Sequence, residues 1–328
     1  MSRSFADNIN SFNVSNVSNV SNLNVSNLNV SNVSNVSNVS NHYTATEDRS
    51  EILTWLSPLE PRIRHQDLRT RRADNVGEWL LQTDEFQKWC NGSQQGGSEH
   101  AALFCCGGPA VGKTYLRWEI TLKAKLGMLV LMSSNTSSLV VDRLCDKAKE
   151  QNTAVACFYV DFAAREEQSP TNMLGSLLKQ IVGGLEKIPD EIKETFQDYK
   201  KVIGGRGLRV PEIVEMLQTV TSLQPTFICV DALDECVERN RPEVLDSLRQ
   251  ILEKSSNTRI FLTGRRHIQG EIDKHLGGRA EILFIKPNYD DIVGYIQMRL
   301  SKDTSLNAMD SGLEAEIIKS ITKNTPET

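Results

Sequence analysis

Residues Gly107-Gly108-Pro109-Ala110-Val111-Gly112-Lys113-Thr114 constrain this chain more than any other stretch. They satisfy G-x-x-x-x-G-K-[ST] at every fixed position, the spacing of a loop that wraps a phosphate chain. Glycines let the backbone turn successive N–H groups toward phosphate oxygens, including where φ is positive. The lysine reaches the β- and γ-phosphates, and the threonine hydroxyl takes a place on Mg²⁺. Such a loop leaves a buried strand and enters a helix, whose positive end faces the same anion. The flanks comply: Ala101–Cys106 is a continuous apolar run that reads as a buried strand, and a helical pattern follows. The expectation is a nucleoside triphosphate site. The alternative, a glycine-rich turn with a surface lysine, ignores that context.

Further along, apolar runs alternate with helical patterns. Ala154–Val160, Phe227–Val230, Arg259–Thr263 and Glu281–Ile285 read as strands. Between them, Ser169-Pro170 opens a helix with Met173, Leu174, Leu177, Leu178 and Ile181 on one face. Helices are also expected near Pro189–Val202, Pro211–Leu223 and Pro242–Lys254, and later near Asp290–Leu300 and Gly312–Thr322. Continuous apolar strands separated by helices predict an α/β fold with a parallel sheet covered on both faces.

In that setting Phe227-Ile228-Cys229-Val230-Asp231-Ala232-Leu233-Asp234-Glu235 is an apolar strand ending in three carboxylates. Asp231, at the strand tip, suits a Mg²⁺ site opposite Thr114. Asp234 or Glu235 suits the orienting or deprotonation of an attacking water. Arg265, in Thr263-Gly264-Arg265-Arg266, also lies at a strand's carboxyl end, where open parallel sheets bind ligands. It is placed to sense a γ-phosphate; the alternative is a surface arginine pair.

The flanking segments read differently. Asn13–Asn41 is a nearly pure Asn-Val-Ser repeat whose period of three fits neither helix nor strand. It reads as a low-complexity tail over 1–45, with a stacked cross-β segment as the alternative. Residues 46–98 form a helical lead-in: Ile52, Leu53, Trp55 and Leu56 suggest one short helix, and Val76 to Trp89 two more. Between them, Arg62, Arg64, His65, Arg69, Arg71 and Arg72 make a basic stretch without interleaved aromatics, interrupted by Asp67 and Asp74. It reads as a solvated or intramolecular docking surface. With 37 basic against 42 acidic residues, the net charge is −5, and no nucleic acid is expected as a partner. Neither a signal peptide nor a run long enough to span a membrane stands out. Seven cysteines without metal spacing, several inside apolar strands, point to a reduced cytoplasmic setting.

Taken together, Gly107–Thr114, Phe227–Cys236 and Leu262–Arg265 resemble the NACHT-type STAND NTPases, particularly fungal NOD-like receptors and nephrocystin-type N-terminal P-loop domains. The segments Trp55–Pro61 and Val76–Leu81 resemble the lead-in of the fungal proteins. The resemblance covers roughly residues 50–325 and implies a regulatory ATPase with ATP, ADP and Mg²⁺ as cofactors. It also implies homo-oligomerisation on activation and a protein effector, with outputs in non-self recognition or regulated cell death. The NTPase domain is placed at 99–286, and 287–328 as the start of a helical domain. No repeat array follows it and no recognisable effector precedes it, so the chain reads as cut short.

One departure lies inside the domain. Joining Leu116 directly to Thr136 restores a single helix with Val141, Leu144, Cys145 and Ala148 on one stripe. Arg117–Asn135 therefore reads as an insertion, such as an intron translated in frame would give. An interrupted core would favour the rival reading, a non-catalytic interaction protein.

Overall fold

Strands form where the chain carries its continuous apolar runs. The computed structural model describes residues 48–72, 77–92, 100–107, 136–201, 207–285 and 293. Within them, β1 (Ala102–Gly107), β2 (Ala154–Tyr159), β3 (Thr226–Asp231), β4 (Thr258–Arg265) and β5 (Ala280–Ile285) build one sheet in the order β2-β3-β4-β1-β5. All four pairings are parallel, in registers such as Ala102 opposite Ile260 and Cys157 opposite Cys229. This is the expected α/β fold class, a parallel sheet with helices on both faces. Gly108–Thr114, the segment Arg117–Asn135 and the Asn-Val-Ser tail lie outside the described residues. So do the helices expected near Asp290–Leu300 and Gly312–Thr322, residue 293 apart.

Alternation along the strands sends side chains to two separate cores. On one face, Phe104, Ile228, Val230, Ile260 and Leu262 meet α6 (Pro170–Gly184), α8 (Val210–Leu223), α9 (Arg241–Lys254) and α10 (Gln269–Leu276). The expected stripe of α6 is fully inside: Met173, Leu174, Leu177, Leu178 and Ile181 are all buried. Its start follows from chemistry, since the Ser169 hydroxyl accepts the Asn172 N–H at 3.2 Å and Pro170 occupies the first turn. α7 (Asp190–Lys201) contributes Ile192 and Phe196 to the same core.

On the other face, Leu103, Cys105, Cys157, Tyr159, Cys229 and Phe261 pack with Val140, Val141 and Leu144 of α5, a helix over 136–151. Trp89 and Phe86 of α4 (Asp84–Asn91) and Leu80 of α3 (Glu78–Leu81) close that layer. The cysteines behave as small apolar residues: all seven are free, and burial pushes the Cys157 thiol up to about 12.

The lead-in docks on the domain. α1, through residues 50–56, buries Ile52 and Leu56 in the first core. Its end is pinned by Ser57 Oγ donating to the Asn172 carbonyl at 2.9 Å and Lys179 Nζ donating to the Ser57 carbonyl at 3.1 Å. Gly175 makes this approach possible, because a Cβ there would lie 2.2 Å from the Leu56 carbonyl oxygen. The basic stretch is a helix, α2 (Pro61–Arg71). It is an intramolecular surface: Arg72 reaches Ser138 at 2.9 Å and Asp142 at 2.8 Å, and Arg64 approaches Asp161 at 4.0 Å.

Candidate functional site

A parallel sheet places the carboxyl ends of its strands along one edge, and the crevice opens where neighbouring crossovers diverge. Here that point is β1. Its chain continuation leads by way of α5 to the far strand β2, while β5 lies on its other side. Gly107, the first residue of the phosphate-loop motif, ends β1 opposite Arg265 of β4 and Ile285 of β5. The other seven, Gly108, Pro109, Ala110, Val111, Gly112, Lys113 and Thr114, lie outside the described residues.

Asp231 ends β3 on the same edge and is buried. Its Oδ1 accepts the Thr263 hydroxyl at 2.6 Å and the Ser137 hydroxyl from the first turn of α5. The Thr263 hydroxyl also accepts the Ala232 N–H at 2.9 Å. That bond steadies a non-glycine residue at φ 54°, ψ 43°, a conformation normally left to Gly, Asn or Asp. This left-handed residue turns the chain sharply after β3, so that Leu233 returns to the core while the acids remain at the rim. Both hydroxyls already donate to Asp231 Oδ1, so within this cluster the carboxylate is the group chemically suited to a hard divalent cation such as Mg²⁺.

The next two acids have different surroundings. Asp234 has a side chain 6% exposed; its Oδ1 accepts the Arg265 N–H at 3.1 Å, and its Oδ2 lies 3.2 Å from Arg265 Nε. Arg265 itself is half exposed. The structure thus brings two of the expected site residues together as an ion pair. Glu235 is half-buried and takes a backbone hydrogen bond from Phe162, at the turn following β2. Burial raises its carboxyl above the usual range, and the charge of Asp234 adds to the effect. A carboxyl so shifted is a better proton acceptor, which separates it chemically from its neighbour.

Several residues escaped the sequence reading. Arg241, almost wholly buried at the start of α9, makes a two-pronged ion pair with Glu271 of α10 at 2.6 and 2.8 Å. Its NH1 also points at the Asp234 and Cys236 carbonyls, 3.4 and 3.5 Å away, so it braces the acid loop from beneath. Nothing in local pattern marks it, since its partner stands thirty residues on. Ser137 carries no motif of its own, and its contact with Asp231 comes from the helix over 136–151.

His65 was counted among the basic residues, yet it lies between Tyr159 Oη at 2.7 Å and Asp142 Oδ1 at 3.1 Å. Burial lowers its pKa, and Arg69 and Arg72 reinforce this against the opposing pull of Asp142. The neutral ring satisfies both contacts, with Tyr159 donating to Nδ1 and Nε2–H donating to Asp142. Tyr159 stands opposite Asp231 in the sheet register, so α2 is fastened one strand away from the acids.

Residues 133–265 match the profile of the nephrocystin 3 N-terminal family, a span that begins beyond Thr114 and ends on Arg265. No curated protein matches the sequence. Among solved structures, the chain is similar to the ORC1 protein of Aeropyrum pernix in complex with DNA, at 14% identity and a TM-score of 0.45, over 84% of this chain and 59% of that one. It is similar to a Walker-type ATPase of Pyrococcus abyssi at 15% identity and a TM-score of 0.37, over 73% and 62%. A third likeness is to Drosophila ORC bound to AT-rich DNA, at 12% identity and a TM-score of 0.30, over 87% and 76%. The chain therefore spans less than two thirds of the first two structures. The expectation of no nucleic acid partner is corrected by these likenesses, since two of the similar proteins are seen with DNA. Net charge does not exclude such a partner, because it sums the whole chain, whereas a nucleic acid meets one face. Among the described residues no helix is long and apolar enough to cross a membrane.

Proposed function

We propose that this chain is a nucleotide-controlled switch of the STAND type, binding ATP or ADP with Mg²⁺ and hydrolysing ATP slowly to govern self-association. The observation that carries the reading is the convergence of Gly107, Asp231, Glu235 and Arg265 on one edge of a parallel sheet, around the strand that leads into the phosphate-loop motif. In this reading the backbone N–H groups of the Gly107–Gly112 loop, Pro109 excepted because it has none, and Lys113 would hold the phosphates. Thr114 and Asp231 would hold Mg²⁺, which when bound would supply neutralising charge to the phosphates. Asp234 or Glu235 would orient or deprotonate the attacking water, and Arg265 would answer to the γ-phosphate. The family match over 133–265 supports the nephrocystin-type likeness.

The position of α5 supports the reading of Arg117–Asn135 as an insertion. From Ser137, at the carboxyl edge beside Asp231, the helix runs to 151, long enough to cross back beneath the sheet without any contribution from 115–135. With Leu116 joined to Thr136, Thr114 and Ser137 would stand four residues apart, neighbours on one helical face. Both hydroxyls would then address Asp231. The surplus between Thr114 and Thr136 also favours a second reading, a non-catalytic interaction protein with an interrupted core.

Calorimetric titration of Mg-ADP and Mg-ATP, with Lys113→Ala as control, separates the two. Binding that vanishes in the variant is expected of the switch. Its absence in the unaltered chain, with partner binding retained, would leave the second reading.

A further inference from the structure

Two acids follow β3 within the rim loop, and the switch reading leaves open which of them acts on water. The geometry divides them. Asp234 spends both carboxylate oxygens on a single residue: Oδ1 accepts the Arg265 N–H, and Oδ2 faces the guanidinium of the same arginine. The fit is close on every side. A Cβ at Gly264 would come within 3.3 Å of Asp234 Oδ1 and 2.9 Å of Ile268 Cδ1, so glycine is what lets the carboxylate lie against the β4 backbone. Its backbone is held too, through the Arg241 guanidinium that reaches the Asp234 carbonyl. The Arg265 side chain, by contrast, is half exposed. Glu235 makes no comparable commitment: it takes the Phe162 N–H and stays half-buried at the rim.

We propose that Asp234 is the resting counter-ion of Arg265, a positioning residue that holds the arginine away from the γ-phosphate site, and that the water-directed role belongs to Glu235 alone. This rests on the nucleotide-switch reading for its consequence, but not for the ion pair itself. A γ-phosphate would compete with Asp234 for one guanidinium, so triphosphate and diphosphate would bind states that differ in this contact. Only such a difference in affinity can bias a two-state equilibrium. Because Arg241 joins the Asp234 and Cys236 carbonyls to Glu271, release of the pair would be felt at α10.

Two measurements on the full chain test this. The first needs no nucleotide: a double-mutant cycle in urea unfolding with Asp234→Asn and Arg265→Gln. The singles are expected to be non-additive, the coupling amounting to roughly 3- to 10-fold in the unfolding equilibrium, the range for a partly buried pair. Strict additivity overturns the proposal. Should Asp234→Asn not fold, Asp234→Ser, which keeps an acceptor near the Arg265 N–H, completes the cycle.

The second is the ratio of ADP to ATP dissociation constants. Asp234→Asn is expected to raise ATP preference by about 10-fold, through an arginine no longer held back, and Arg265→Gln should cancel the gain. If Asp234→Asn instead abolishes turnover as Glu235→Gln does, with the ratio unchanged, Asp234 acts on water and the division of roles is wrong. If neither nucleotide binds, the switch reading fails while the nucleotide-free cycle still decides on the ion pair.

Discussion

Gly175→Ala should undock the lead-in from the sheet domain. The new Cβ would stand 2.2 Å from the Leu56 carbonyl oxygen, about 1.2 Å short of ordinary contact. Two effects oppose each other. Alanine in a helix interior gains about 1 kcal/mol over glycine through backbone entropy and propensity. Overpacking costs about 1–3 kcal/mol where neighbours can yield, and more where they cannot. Here the obstacle is a backbone atom at the end of α1, fixed by Ser57 to the Asn172 carbonyl and by Lys179 to the Ser57 carbonyl. It can move only if α1 lifts. Lifting exposes Ile52 and Leu56, each worth about 1.5–3 kcal/mol when buried. Undocking therefore caps the loss, and the net cost comes to about 2–5 kcal/mol after the propensity gain. Urea unfolding followed by tryptophan fluorescence reads it directly, since Trp55 contacts Phe196 and Tyr199 across the same junction. Gly183→Ala, with open space around its Cβ position, should be neutral or stabilising. A stabilised Gly175→Ala would mean that the close approach does not exist and that propensity alone governs the site.

Arg241→Leu should cost about 3 kcal/mol, because it strands Glu271 and frees two loop carbonyls. The double variant Arg241→Leu, Glu271→Leu should recover much of this, and a double as unstable as the single would show that the pair is not the issue. Thr263→Val, nearly isosteric, should lose about 2–3 kcal/mol by removing the hydroxyl shared between Asp231 and the Ala232 N–H, while Thr263→Ser should restore most of it in thermal melts. For His65 the sign is set by a depressed pKa: the neutral ring is the folded form. Its contribution is complete above the ordinary value of 6.5 and is lost as pH falls through the lower folded value. Melting temperature should thus drop on acidification across that range in the parent chain and drop less in His65→Gln. Parallel profiles would rule out a titrating His65.

How far the sequence could be read depended on the range of each interaction. The five strands and the face of α6 were legible because apolar continuity and helical periodicity are local, and their ends shifted by only a residue or two, as with Thr226–Asp231 against Phe227–Val230. The order β2-β3-β4-β1-β5 was not legible, since nothing in Ala102–Gly107 names Thr258–Arg265 as its neighbour. The same holds at the site. Asp231, Glu235 and Arg265 could be singled out by their places after strands, but that Asp234 would face Arg265 depended on the β3–β4 packing. His65 looked basic in a run of arginines, and only Tyr159 and Asp142, from distant segments, make it neutral.

The place of β1 has a consequence for synthesis. Both of its partners, β4 and β5, are made long after it, Ala102 waiting for Ile260 and Ala280. As the chain leaves the ribosome, β2 and β3 can join, but the apolar segment Ala-Leu-Phe-Cys-Cys must remain unpaired until the fourth strand emerges. Such non-local closure is slow and leaves a sticky strand exposed in the meantime. A nascent chain halted before residue 258 would therefore offer aggregation a free strand, and the phosphate loop would acquire its base only in the last stage of folding.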